Sequence, residues 1–457
     1  MKHAIQDVAS EEVPSGAGTP EISAPAVSLR VHPQRSSLYE ELHNRPSPII
    51  DGGCQVTHFT VMLDNNREEI LEHVNDLCRR YSVPVPGTGS SCLYQDFGGF
   101  EFRWERHTEF STYTFLHKLE SGVFQRTALS LLPDEWLSEI PGKVISGLHL
   151  EIEQMPDEPP TVESQRVHFE GHRLLSCFAN DRRAQIWTAY RIHSDNMGRF
   201  LVYNNGLNPC QTGRLVRRVL ELETYRMVAL LSFPLARQIA PNVREMDQQL
   251  ATVIQQITDI ESLDDERRLL GELTTLSAKI EQIISDTNYR FSANEACYRL
   301  AMSRMEELRE QEVCGLQTFS EFLGRRLTPA YRTCETVRED LDDLSSRIDR
   351  ASELLRTRVN LTIEEQNQDL LQSMDRRSKL QLRMQQAVEG LSVAAISYYL
   401  VGLFKYLAES AKAMGIISNS SLVTGLFVPV AVGVVMLGLI RMKKSMKTVN
   451  KKLKEDR

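Results

Sequence analysis

Along the chain the spacing of apolar positions changes twice. Between residues 55 and 204 apolar and polar residues alternate in short runs, the two-residue period of half-buried strands. Residues 56–63 are rich in β-branched side chains, residues 100–110 alternate strictly, and residues 112–119 follow as a hairpin partner. Further strands are predicted over 144–152, 166–178, 185–193 and 200–203, and the proline-bearing stretch 154–160 predicts a loop. Ile70, Leu71, Val74, Leu77 and Cys78 carry helical spacing within residues 66–81. From Gly213 the helical period takes over. Leu215, Val219, Leu222, Tyr225, Val228 and Leu231 mark an amphipathic helix over 213–234. Residues 242–407 hold five glycines and a single proline, Pro329. Breaks are expected near residues 286–288 and 327–329, with one helix running from about Pro329 into the next apolar segment. Sixty residues of it, up to Glu389, would measure roughly 90 Å.

The second change is to runs with no polar period at all. Residues 421–440 are twenty in a row without a charge, the length a helix needs to cross a hydrocarbon core of ~30 Å. Residues 391–404 form another uncharged run, continued by Tyr406, Leu407 and Ala408 past Lys405. These predict a transmembrane hairpin at about 391–408 and 421–440. The expected fold class is α+β: a mixed α/β cytoplasmic domain over 36–208, a helical, coiled-coil-like stalk over 209–389, a two-helix hairpin over 390–441 and a basic tail over 442–457. Residues 1–35, with almost no large apolar side chain, predict a disordered leader. The stalk carries Arg347, Arg350, Arg356, Arg358, Glu364 and Glu365 around a thin apolar seam, so it needs packing neighbours. Both residues 242–325 folded back on it and the same helix from other subunits are expected, making a homo-oligomer.

Charge orients this picture. Residues 441–457 hold eight Lys or Arg against two acids, about +6, which leaves about −14 on the rest of a chain of net charge −8. A basic cluster beside a membrane helix faces the cytoplasm and attracts anionic lipid. Membrane lipid is therefore the expected partner, both termini are expected in the cytoplasm, and no nucleic acid is expected. Eight scattered cysteines without a Cys-x-x-Cys pair suit a reducing compartment rather than disulfides or zinc. The N-terminal residues lack an apolar signal region and are too acidic for a mitochondrial presequence, so the soluble part is expected to stay inside the cell.

All eleven histidines and three tryptophans precede residue 194, and side-chain chemistry is sought there. In an unbroken strand, Glu101, Arg103, Glu105, His107 and Glu109 share one face, with Phe102, Trp104, Thr108 and Phe110 on the other. His107 between Glu105 and Glu109 suits a general base or a metal ligand, with His117 and His43 as possible additional ligands. The plainer reading is a ladder of paired charges on a sheet face. No metal or other cofactor is expected. Residues 206–218 read as the capped start of a helix, or as a helix N-terminus holding phosphate. No Gly-x-Ser-x-Gly, His-Glu-x-x-His or EF-hand pattern occurs. In the first span Ser392, Ser397, Tyr398, Tyr399 and Gly402 suit helix packing or a pore lining. Lys405 would snorkel or, facing a pore, repel cations. Ser397, Tyr398, Lys405, Arg441, Lys443 and Lys444 are the pore or lipid candidates.

Five strings carry a family resemblance: Leu42-His-Asn-Arg-Pro46, Arg103-Trp-Glu-Arg-His-Thr-Glu-Phe110, Leu220-Glu-Leu-Glu-Thr-Tyr-Arg-Met-Val-Ala-Leu-Leu231, Gln317-Thr-Phe-Ser-Glu-Phe322 and Val388-Glu-Gly-Leu-Ser-Val-Ala-Ala-Ile-Ser-Tyr-Tyr399. On them the chain resembles a bacterial family of uncharacterised membrane-anchored proteins (domain of unknown function 3422), over roughly residues 36–445. The resemblance implies a place in the bacterial inner membrane and carries no activity. In layout the chain also resembles CorA-type magnesium channels, although their Gly-Met-Asn signature is absent from the loop Lys412-Ala-Met-Gly-Ile-Ile-Ser-Asn-Ser420. The Glu-Leu-Glu-Thr-Tyr-Arg stretch is similar to one in mitochondrial proteins that tether ribosomes to the inner membrane. The function expected is an oligomeric scaffold or binding module. A CorA-like channel and a metal-dependent enzyme centred on His107 are the alternatives.

Overall fold

A computed structural model describes residues 30–455 apart from 37, 40–44, 64–66, 121, 261, 416 and 418. Most of the expected leader, and His43, lie outside the described residues. The class is α+β. The sheet strands are β1 (Cys54–Met62), β2 (Cys92–Asp96), β3 (Glu101–Arg106), β4 (Phe110–Lys118), β5 (Lys143–Gln154), β6 (Leu175–Ala179), β7 (Ala184–Thr188), β8 (Gly198–Asn204) and β9 (Gln311–Glu312). Between them lie α1 (Arg67–Arg80), α2 (Asp134–Ser138) and α3 (Val162–Arg166). Long helices follow: α4 (Pro209–Leu230), α5 (Ser232–Thr258), α6 (Leu263–Glu307), the short α7 (Phe319–Gly324), α8 (Leu327–Ala413) and α9 (Ser420–Glu455). The strands form one sheet in the order β2-β3-β4-β1-β5-β8-β7-β6-β9. Among the described residues only the β5–β8 pair is parallel; it joins two antiparallel halves of the sheet.

The described residues fall into two compact units: up to Glu245 together with Gln282–Asp342, and Met246–Glu281 together with residues from Asp343 on. In the first unit, alternation along β1, β3 and β4 sorts side chains to two faces. Phe59, Phe102, Trp104, Tyr113 and Phe115 pack on one face beneath α1 and Trp136 of α2. Trp136 is fully buried and its indole N–H donates to the His73 carbonyl at 2.9 Å; truncation to Ala would cost about 3–5 kcal/mol. On the other face Val56, Leu148, Leu150 and Ile152 meet Leu215, Val216 and Val219 of α4, with Cys297, Ala301 and Met305 of α6 in the same cluster.

Several expected elements take a different form. The strand predicted over 166–178 begins only at Leu175, because a capping box between Thr161 and Ser164 builds α3 and Glu170 turns left-handed (φ 51°) after it. The strand predicted over 185–193 stops at Thr188, where β7 ends. The break expected at 286–288 does not occur. The Thr287 hydroxyl donates back to the Ile283 carbonyl at 2.7 Å and the Asn294 amide to the Ala229 carbonyl at 2.6 Å, so both polar groups are satisfied within helical backbone. The break falls after α6 instead, where Arg309 and Gly315 adopt positive φ.

In the second unit, segments of α5 and α6 pack on α8. Leu250, Val253, Leu273, Leu276, Leu344 and Ile348 are buried. Arg347 pairs with Asp247 at 2.5 Å, and Arg358 donates to the Ile257 and Ile260 carbonyls at 2.7 and 2.9 Å, tying off the end of α5. From Leu361 to Leu391 the apolar residues of α8 are exposed. Near its end Phe404 stacks on Phe427 of α9 (centroids 3.7 Å), and Ala408 and Ala431 are buried. The segments within Phe319–Ala413 and Ser420–Arg441 are long and apolar enough to cross a membrane.

Candidate functional site

β3 and β4 meet in a tight turn in which the His107 N–H donates to the Phe110 carbonyl at 2.8 Å. The turn ends the strand at Arg106, so the face expected to carry five charged residues carries three, Glu101, Arg103 and Glu105. His107 folds over onto Phe110 (centroids 4.5 Å), and Phe110 lies on the side opposite Phe102 and Trp104. Glu109 turns away to Arg290 at 3.5 Å. His117 faces away as well, its Nδ1 at 2.8 Å from the Lys118 carbonyl. The expected trio of His107, Glu105 and Glu109 is thus a pair.

That pair lines a cavity of about 140 Å³ between the β3-β4-β1 strip and α4. The strip contributes His58, Arg103, Glu105, Thr112 and Thr114, and α4 contributes Val216, Arg217, Leu220, Glu221, Thr224 and Tyr225. On a helix these last six are two stripes at i, i+4 and i+8, the spacing that stacks side chains on one face. Arg45, Pro46 and Pro48 close one side, and Arg304 of α6 enters from the other. Three strings singled out in the sequence therefore meet at one place, through residues 45–46, 103–110 and 220–225.

The family model described as Protein of unknown function (DUF3422) matches residues 30–446. The chain belongs to this family. No curated protein and no solved structure matches it.

The site of this DUF3422 protein is dominated by arginine. Arg217 pairs with Glu221 at 2.6 Å, Glu221 also with Arg304, and Arg304 with Glu307 at 2.5 Å. Arg103 pairs with Glu101 and donates to the Pro46 carbonyl, both at 2.6 Å. Arg217 donates to the carbonyl of Arg45. Arg45 differs from the rest. Its Nη2 lies 3.4 Å from the Arg106 carbonyl, and its Nε is buried with no partner among the described residues. Glu105 accepts the Tyr94 hydroxyl at 2.7 Å, and His107 Nε2 stands 3.9 Å from Glu105, too far for a hydrogen bond. Burial, and then Arg45, push the His107 imidazole down to about 4, so it is neutral at pH 7. Deeper in, His58 is held between Thr114 (2.8 Å) and Thr224 (3.0 Å), and burial pushes it down to about 3. Among the described residues no group of three or more His, Cys, Asp or Glu is placed to hold a metal ion.

Sequence reasoning found Glu105 and His107 but passed over Arg45, Glu221, Thr224 and Arg304 as site residues. Polar residues recurring every fourth position on the buried side of α4 were the available signal. Residues 206–218 form the capped helix start expected: Gly206 turns at positive φ (97°), α4 begins at Pro209, and the side chain of its cap Asn208 accepts the Gln211 N–H at 2.9 Å, which leaves Gly213 inside the helix. Of the membrane-segment candidates, Tyr398, Lys405 and Arg441 are exposed, while Ser397 is buried with its hydroxyl unpartnered among the described residues. The side chains of Lys443 and Lys444 lie outside the described residues.

Proposed function

We propose that this protein is a membrane-tethered binding module: a hairpin of the two apolar helices anchors it, its body faces the cytoplasm, and the cavity at Arg45 receives a small organic carboxylate. The observation that carries this reading is the balance of charge at the cavity. Arg103, Arg217 and Arg304 have carboxylate partners, whereas the half-buried Arg45 has none among the described residues and its Nε is buried without an acceptor. A buried guanidinium nitrogen without an acceptor is costly, and a ligand carboxylate supplies an opposite charge and the bidentate acceptor the fork is shaped for. Thr112, Thr114 and Thr224 offer hydroxyls, and Phe110, Leu116 and Leu220 offer apolar wall, a lining suited to a short acid rather than a bare ion. With His107 neutral and unbonded to Glu105, the arrangement supports binding rather than an oriented acid–base pair. Calorimetric titration of the full chain with short carboxylates, from acetate to butyrate, tests this. Saturable binding lost in Arg45→Gln is the expected result, and the absence of carboxylate binding, or binding indifferent to Arg45, would contradict it.

The tethered body is also proposed to self-associate through α8. Leu370, Met374, Met384, Val388 and Leu391 are exposed on it and fall at the seam positions of one heptad frame, with Arg377 and Gln381 at the two seam positions between Met374 and Met384. A channel of the CorA layout is the second reading, favoured by the outward exposure of Tyr398 and Lys405. Ion flux in liposomes that changes in Lys405→Ala would support it.

A further inference from the structure

A second concavity in the same unit, of about 560 Å³, is built on a different principle. It lies between the residues just before β6, those just after β7, the end of α4 and the α7 turn. Four arginines line it, Arg173, Arg191, Arg226 and Arg326, with His172 and no acidic residue. Among the described residues Arg226 alone of the four has a carboxylate partner, Glu223, through two N–H···O contacts. Two of the guanidiniums, the paired Arg226 among them, lie over rings. Arg226 lies 5.3 Å from the centroid of Tyr190, Tyr190 stacks on Phe322 at 5.2 Å with the planes 5° apart, and Arg326 lies 4.0 Å from the centroid of Phe322. On the Phe322 face Arg326 is oriented while its charge meets no carboxylate among the described residues.

Tyr190 is the pivot of this arrangement. It adopts positive φ (45°), an outlier for a bulky residue, and its hydroxyl is buried with no partner among the described residues. Burial raises that hydroxyl well above its ordinary value, so it is a neutral donor with nothing to donate to. Leu175, Leu230, Leu323 and Leu327 form the apolar remainder of the wall. Three arginines without a carboxylate, ring faces and leucines together describe a complement to more than one negative charge joined to a flat apolar group.

We propose that this pocket binds a planar organic dianion of the aryl phosphate-monoester class, with Arg191 and Arg326 taking the phosphate and the Tyr190–Phe322 stack and the leucines taking the ring. The site stands apart from the Arg45 cavity in residues, size and ligand charge. The test is equilibrium titration of the full chain in nonionic detergent with phenyl phosphate, inorganic phosphate and benzyl alcohol. Phenyl phosphate is expected to bind one per chain and about tenfold more tightly than inorganic phosphate, since the ring adds buried apolar area; benzyl alcohol is expected to show no saturable binding. Arg191→Gln and Arg326→Gln, both exposed and without a carboxylate partner, are each expected to weaken phenyl phosphate about tenfold while leaving the near-ultraviolet circular dichroism unchanged. No saturable binding of phenyl phosphate would overturn the proposal, as would inorganic phosphate binding as tightly. Affinity insensitive to both Gln variants, or lost instead in Arg45→Gln, would overturn it too by placing the ligand elsewhere.

Discussion

Glu151 on β5 is fully buried; one of its oxygens accepts the Phe124 N–H at 2.8 Å and the other has no partner among the described residues. Burial pushes its carboxyl up to about 7. A folded-state value above the unfolded one means that Glu151 favours folding below about pH 4.5 and that this contribution is lost as pH rises through 7. Glu151→Gln, which keeps the acceptor for Phe124, is therefore expected to raise the unfolding free energy at pH 8 by up to roughly 3 kcal/mol and to leave it unchanged at pH 4. The buried histidines act with the opposite sign. His58 and His107, held down to about 3 and about 4, stabilise the fold above pH 6.5 and withdraw that stability as pH falls from 6.5 toward 4. His58→Gln is expected to flatten the acid limb of a thermal-unfolding series between pH 6.5 and 4; an unaltered slope would contradict the assignment. The sequence made Glu105 and His107 conspicuous because they sit in one dense string. It concealed their surroundings, since Arg304 meets Glu221 across 83 residues and Arg217 meets the Arg45 carbonyl across 172.

At the scale of elements, one glycine shows why α4 lies where the cavity needs it. A Cβ on Gly213 would stand 1.6 Å from the Pro48 carbonyl oxygen, so only glycine lets the helix approach the segment that closes the site. Helix propensity alone favours alanine there by about 1 kcal/mol. The steric clash is expected to win: Gly213→Ala should destabilise by about 2 kcal/mol or more and weaken carboxylate binding with it. Gly271, on an exposed turn of α6 with nothing within 4 Å of its would-be Cβ, is the matched comparison. Gly271→Ala is expected to stabilise by up to about 1 kcal/mol, and chemical denaturation of both variants checks the pair. The alternating strands around residues 56–63 and 100–119 and the helices after 209 were legible because each period persists for several residues. The β3–β4 turn, β2 and the two-residue β9 were not. Their pairing is set by distant partners, such as Cys177 opposite Glu312, rather than by a local pattern.

For the whole molecule, the apolar runs at 391–404 and 421–440 were the plainest feature of the sequence, and the structure makes both of them helix. Self-association is tested by Met384→Cys in the full chain, which is expected to give a disulfide-linked dimer on mild oxidation, with a monomer throughout as the contradicting result. The proposed membrane anchor, with the body facing the cytoplasm, is directly measurable through the exposed thiols Cys210 and Cys314. Membranes from cells producing the full chain are washed with alkaline carbonate, and spheroplasts are treated with a membrane-impermeant maleimide before and after permeabilisation. The protein is expected to stay in the membrane pellet, with Cys210 and Cys314 labelled only once the membrane is opened. Release by carbonate, or labelling of those cysteines from outside, would contradict it.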